Sequence, residues 1–157
     1  VARIIGVDPG SRVTGYGIID AYRGRLEFVV CGVIKTTKDQ SFSYRLNEIF
    51  EGLNEVVQVH QPVVAAIEEV FLASNPRSAI KLGHARGAAV VAVMQNGLMV
   101  HDYSPRAIKR AVAGYGQAGK EQVQHMVQVL LGLSGKPSSD AADALAVAIC
   151  HANQIQV

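Results

Sequence analysis

Ile4-Ile5-Gly6-Val7 is a short, β-branched apolar run that stops at a carboxylate, Asp8, and Pro9-Gly10 follows at once. The run reads as a buried strand and the Pro-Gly pair as its turn. Val13 to Ile19 returns as a second strand, in which Gly15 and Gly17 permit another backbone or a ligand to approach closely. The chain therefore opens as a hairpin with one acid at its mouth. An Asp at the end of a buried strand is costly to ionise unless something positive lies beside it. A local hydrogen bond in the turn accounts for one such Asp. It does not account for a repeated pattern.

The pattern is repeated twice. Val63 to Val70 is another apolar run, and it carries Glu68-Glu69 near its end. Neighbouring strand residues point to opposite faces, so only one of that pair shares a face with a site. Asp140-Ala-Ala-Asp143 opens a helix that continues as Ala144-Leu-Ala-Val-Ala-Ile149. Spacing of i and i+3 puts both acids on one side of that helix. Acids in a first turn complement the helix dipole, which explains one of them better than two. Three segments thus bring acids to places where the chain is otherwise hydrophobic. Parallel strands gather their carboxyl ends together, where open α/β sheets place their sites. Carboxylates crowded there need a counter-charge, and oxygen-only donors favour hard cations such as Mg²⁺ or Mn²⁺. Two such ions about 4 Å apart clamp the attacking and leaving oxygens of a phosphoryl displacement.

The rest of the chain supplies the scaffold. Arg25 to Lys35 reads as a third strand of an antiparallel meander, and Tyr44 to about His60 as an amphipathic helix. Phe71 to Ser78 is loop-like, and Ala79 to Gln95 is a helix dense in Gly and Ala. Such a helix permits close approach of a partner helix, within the protomer or across a dimer. Met99 to Tyr103 is a fifth strand. Helices follow at about Pro105 to Ala113, Lys120 to Leu131 and Asp140 to Asn153. The order β-β-β-α-β-α-β-α-α-α predicts an α/β fold: a five-stranded mixed sheet, antiparallel meander plus parallel strands, flanked by helices. That is the order of the ribonuclease H-like architecture. At 157 residues and 49 % hydrophobic, residues 1–157 read as one ribonuclease H-like domain.

No run approaches the roughly 20 apolar residues of a membrane span, and the start of the chain is not a signal peptide. Cys31 and Cys150 lack metal-type spacing and read as buried thiols of a cytoplasmic protein. Net charge is only +2; with four of the 13 acids sequestered, however, the 15 basic side chains exceed the remaining acids by six. That excess favours a polyanionic partner.

The chain resembles the RuvC family of Holliday-junction resolvases over nearly its whole length. The resemblance rests on Gly6-Val-Asp-Pro-Gly-Ser-Arg-Val-Thr-Gly-Tyr-Gly17, Ile67-Glu-Glu-Val-Phe71, Ala79-Ile-Lys-Leu-Gly-His-Ala-Arg-Gly87, Gln122-Val-Gln-His-Met-Val127 and Asp140-Ala-Ala-Asp-Ala-Leu-Ala146. It implies a homodimeric, metal-dependent endonuclease that nicks two opposed strands of a four-way DNA junction in recombination and repair. The nicks carry 5′-phosphate and 3′-hydroxyl ends. The implied metal ligands are Asp8, Glu68, Asp140 and Asp143, holding two Mg²⁺ ions for which Mn²⁺ can substitute. Family resemblance, not periodicity, selects Glu68 over Glu69.

The same resemblance implies that Lys109 and Lys120 act near the scissile strand, by phosphate contact or transition-state charge stabilisation. It makes Phe71 a wedge that stacks on an unpaired base, against the plainer reading that Phe71 packs on the core. Arg12 and Arg77 read as phosphate contacts. His84, His125 and His151 read as packed or surface residues. The 79–95 helix matches the dimerising segment, and a branch-migration motor is an implied partner; action on the nucleoid follows. Three alternatives differ in class: a non-catalytic junction-binding module, a ribonuclease H-like nuclease for another nucleic acid, and a phosphate-binding kinase of the actin type. The last needs a second domain and about twice this length.

Overall fold

The structure, a computed structural model, describes residues 1–69 and 75–155. Its elements run β1 (Ala2–Asp8), β2 (Val13–Tyr22), β3 (Arg25–Lys35), α1 (Phe42–His60), β4 (Val64–Glu68), α2 (Pro76–Gln95), β5 (Met99–Tyr103), α3 (Pro105–Ala113), α4 (Lys120–Leu131) and α5 (Ser139–Ile155). They form one sheet in the order β3-β2-β1-β4-β5. β1 to β3 are the antiparallel meander, while β4 and β5 join β1 in parallel. That is the expected mixed sheet.

Strand alternation divides the core in two. Ile5, Val7, Ile18, Ala65 and Ile67 face α1 and α2, where they meet Ile49, Leu53, Ala85 and Ala89. Ile4, Ile19 and Ala66 face the other way, against α3, α4 and the long apolar stretch of α5. α5 crosses this second face with its backbone close to the strands at two points. An ideal Cβ on Gly6 would collide with the Ala144 carbonyl oxygen, and one on Gly15 with the Asp140 carbonyl oxygen. These two glycines let the helix backbone rest on the strands.

Several element bounds differ from the expectation, each for a local reason. α2 begins at Pro76 instead of Ala79, because Asn75 is its N-cap, accepting the Arg77 N–H at 3.0 Å, and Pro76 takes the first turn. α1 begins at Phe42, capped by Ser41. β4 is shorter than the 63–70 run: it ends at Glu68, with Glu69 exposed beyond it. Cys150 is buried, as expected, and burial pushes its thiol up to about 11; Cys31 is only half-buried, on edge strand β3. In α2 the alanines Ala85, Ala89 and Ala92 pack inward, whereas Gly83 and Gly87 face open space. Among the described residues no helix is long and apolar enough to cross a membrane.

Candidate active site

Alternation along the strands selects the site's carboxylates. Asp8 follows Ile4 and Gly6 on the face of β1 turned toward α5, and Glu68 follows Ala66 on the same face of β4. Glu69 falls on the opposite parity, and it is exposed. Asp140 and Asp143 arrive from the first turns of α5, whose start is held by Ser138: its Oγ accepts the Ala141 N–H at 3.3 Å and its carbonyl the Ala142 N–H at 2.9 Å. The positive end of the helix dipole thus points at the acids it carries.

Asp8, Asp140 and Asp143 each offer a carboxylate oxygen within 4.8 Å of the others. Glu68 lies outside that trio but flanks it, close enough for its charge to act on Asp8. Beyond Glu68 opens a cleft of about 240 Å³ lined by Glu68, Lys109, Lys120, Asp143 and the apolar side chains of Ile108 and Val123. Lys109 projects into it from α3. Lys120, at the start of α4, places Nζ 3.5 Å from Asp143 Oδ2. All four expected acids and both expected lysines therefore meet at the carboxyl ends of β1 and β4.

The electrostatics are those of crowded, partly buried acids. Burial, and then the charges of Glu68, Asp143 and Asp140, push the Asp8 carboxyl up to about 8. Burial and the Asp143 charge raise Glu68, against the opposing pull of Asp8 and of both lysines. Burial also raises Asp143, partly offset by Lys120. Two lysines do not neutralise four carboxylates, and the donors are all oxygen, so the set fits a hard divalent cation.

A stability signature follows. Carboxyls raised above their unfolded values keep protons that the unfolded chain releases, so stability is full below about pH 4 and falls as pH rises towards about 8. In EDTA, Asp8→Asn is expected to raise the melting temperature little at pH 4.5 and by about 5 °C at pH 8.5. Equal effects at both pH values in a thermal melt would remove the crowding argument.

Three contacts were not foreseeable from residue spacing. Thr14 is fully buried in β2; its Oγ1 donates to the Gly10 carbonyl at 2.9 Å and accepts the Gly10 N–H at 3.3 Å, which ties down the turn after Asp8. Arg45 of α1 braces the same turn, with Nη2 donating to the Ser11 carbonyl at 2.9 Å. Tyr103 bonds to His151, which is buried and so matches the packed reading, whereas His84 and His125 are exposed. A lone hydroxyl inside an apolar strand was the one available signal, at Thr14. The remaining expected residues lie apart. Arg12 is exposed on the hairpin turn, and Arg77 lines a separate groove with Phe42, Ile80, Lys81 and His84. Phe71 lies outside the described residues.

Comparison with known proteins points one way. The family described as "Crossover junction endodeoxyribonuclease RuvC" matches residues 4–151. A relative of that name from Geobacter metallireducens is 54 % identical over 151 residues, covering 96 % of this chain and 92 % of its own. Another from Acinetobacter baumannii is 55 % identical over 150 residues, covering 96 % and 82 %. Among solved structures, T. thermophilus RuvC in complex with Holliday junction substrate is 34 % identical, superimposes with a TM-score of 0.93, and is covered to 96 % of its length by 99 % of this chain.

Proposed function

This chain belongs to the RuvC family of crossover junction endodeoxyribonucleases, and we propose that its carboxylate cluster is the centre at which a four-way DNA junction is nicked. It is a Holliday-junction resolvase of recombination and repair. The observation that carries the assignment of residues is the convergence of Asp8, Glu68, Asp140 and Asp143 beside Lys109 and Lys120. In this reading those four acids hold two Mg²⁺ ions, for which Mn²⁺ substitutes. Such ions supply a water activated for attack on phosphorus and stabilise the charge on the departing 3′ oxygen.

The protein's own groups do the remainder. Asp8, whose carboxyl burial and its acidic neighbours push up to about 8, loses its proton before it serves as a ligand, so cleavage rises with pH towards that value. Lys120 exchanges its contact with Asp143 for the phosphate, and Lys109 meets the charge that develops on the non-bridging oxygens. The phosphodiester is hydrolysed to a 5′-phosphate and a 3′-hydroxyl. Arg12 and Arg77 contact backbone phosphates away from the reacting bond, and Phe71 stacks on a base at the junction centre.

Paired nicks require paired sites. We assign the homodimer contact to the outward face of α2, where Ile80, Gly83, Gly87, Val91 and Met94 are exposed at helical spacing. Gly87→Arg is expected to weaken the dimer at least about tenfold, with loss of simultaneous nicking; sedimentation at falling concentration checks this. A branch-migration motor is the partner that presents the junction, in the cytoplasm on chromosomal DNA.

The direct experiment offers a synthetic four-way junction, a linear duplex and an RNA–DNA hybrid to the protein, each with Mg²⁺ or EDTA. Symmetric, ligatable nicks confined to the junction and to Mg²⁺ are expected. Tight binding without cutting would make the protein a junction-binding module, and cutting of the hybrid would change its substrate.

A further inference from the structure

The chemistry above leaves Tyr103 and His151 unused. Among the described residues the buried polar side chains are Thr14, Gln124 and His151, and His151 is 2 % exposed. Its Nδ1 lies 2.6 Å from the Tyr103 hydroxyl, and the His101 ring covers it with centroids 4.6 Å apart. Burial pushes the Tyr103 phenol up and the His151 imidazole down. The pair is therefore a hydrogen bond between a neutral phenol and a neutral imidazole. Burying an imidazole for a single hydrogen bond gains little net stability. Its value lies in what the bond connects.

Tyr103 is the last residue of β5 and the register partner of Glu68, and its carbonyl accepts the Glu69 N–H at 2.9 Å. Register partners project to the same face of a sheet, so Tyr103 and Glu68 leave neighbouring strands on the same side. The next residue, Ser104, caps α3 by accepting the Ala107 N–H at 3.1 Å, and α3 carries Lys109 into the cleft. His151 belongs to α5, about two turns beyond Asp143 on the same side of the helix. One hydrogen bond thus joins the strand end beside Glu68, the root of the helix bearing Lys109, and the helix bearing Asp140 and Asp143.

We infer that the Tyr103–His151 hydrogen bond is a positioning device that holds Glu68 and Lys109 in register with Asp140 and Asp143. This rests on the catalytic reading of those four residues. Neither Tyr103 nor His151 touches the reacting atoms; both act through the groups they hold. Because Glu68 flanks the acidic trio instead of belonging to it, a small shift of β5 against α5 moves Glu68 and Lys109 while leaving Asp8, Asp140 and Asp143 together.

Tyr103→Phe tests this, since it keeps the ring and removes only the hydroxyl. Junction cleavage in Mg²⁺ is expected to lose about tenfold in kcat, with junction affinity in EDTA unchanged. Mn²⁺ alone, titrated calorimetrically without DNA, is expected to bind about fivefold more weakly. His151→Gln, whose amide can still bond to the phenol as donor or acceptor, should restore part of what His151→Ala loses. Asn96→Ala controls for stability. It removes bonds of 2.8 Å to Asn54 and to the Ala92 carbonyl, near the start of β5 and away from the cleft, and it should lower the melting temperature with wild-type kcat and Mn²⁺ affinity. Tyr103→Phe behaving like Asn96→Ala would overturn the positioning role. Should the wild-type protein fail to cut any junction, the catalytic reading falls instead, and the Mn²⁺ titration alone decides for or against the tie between Tyr103 and Glu68.

Discussion

Asp8→Asn is expected to abolish junction cleavage, by at least about 10³-fold in kcat, without weakening junction binding. Asp8 is the member of the cluster that every other acid acts upon: Glu68, Asp143 and Asp140 all raise its carboxyl. Asn keeps the size and one carbonyl oxygen but removes the charge a hard cation requires. Binding should hold or tighten, because the substitution removes a negative charge from a surface that faces phosphates. Gel-shift affinity in EDTA and single-turnover cleavage in Mg²⁺ separate the two effects. Cleavage within tenfold of wild type would show that Asp8 is not a ligand. Loss of cutting together with loss of binding would point to misfolding, which the rise in melting temperature expected at pH 8.5 argues against.

The acids were legible in the sequence because each breaks a hydrophobic pattern at its boundary. Asp8 ends an Ile-Ile-Gly-Val run, Glu68 follows Ala-Ala-Ile, and Asp140 and Asp143 open a helix buried along most of its length. The choice between Glu68 and Glu69 was not legible from spacing, since alternation needs a reference residue known to face the site. Pairing of β4 with β1 supplies it. The lysines were harder still. Lys109 and Lys120 lie on different helices, and nothing local distinguishes them from solvated lysines; resemblance named them, and the packing of α3 and α4 over the sheet brings them to one cleft. The start of α2 was misread because Asn75-Pro76 signals a turn and a helix start equally well. The same grammar was read correctly at Ser104-Pro105, where no loop-like segment preceded it. Tyr103 and His151 are 48 residues apart, and no periodicity links positions joined only by tertiary structure.

Gly6 and Gly15 carry the second large expectation, because helix α5 brings Asp140 and Asp143 to Asp8 only by resting its backbone on the strands. A methyl on Gly6 would overlap the Ala144 carbonyl oxygen and lie 2.8 Å from the Ala148 nitrogen; both atoms belong to a helix backbone that cannot rotate aside. Gly6→Ala is therefore expected to cost about 3 kcal/mol, the upper end for overpacking, measured by urea denaturation. Gly15→Ala meets the Asp140 carbonyl oxygen, with the Asp140 carbonyl carbon 2.5 Å away. Its cost falls on the turn that supplies the site. A displacement of Asp140 by about 1 Å is enough to lose on the order of 10²-fold in cleavage, while junction binding, which depends on the basic surface, persists. Gly135→Ala, where an added methyl meets nothing within 4 Å, should change neither quantity. If Gly15→Ala lowered stability as much as Gly6→Ala yet cut junctions at the wild-type rate, α5 would be tolerant of lifting at its first turn. The four carboxylates would then be assembled by the bound cations and not by the fold.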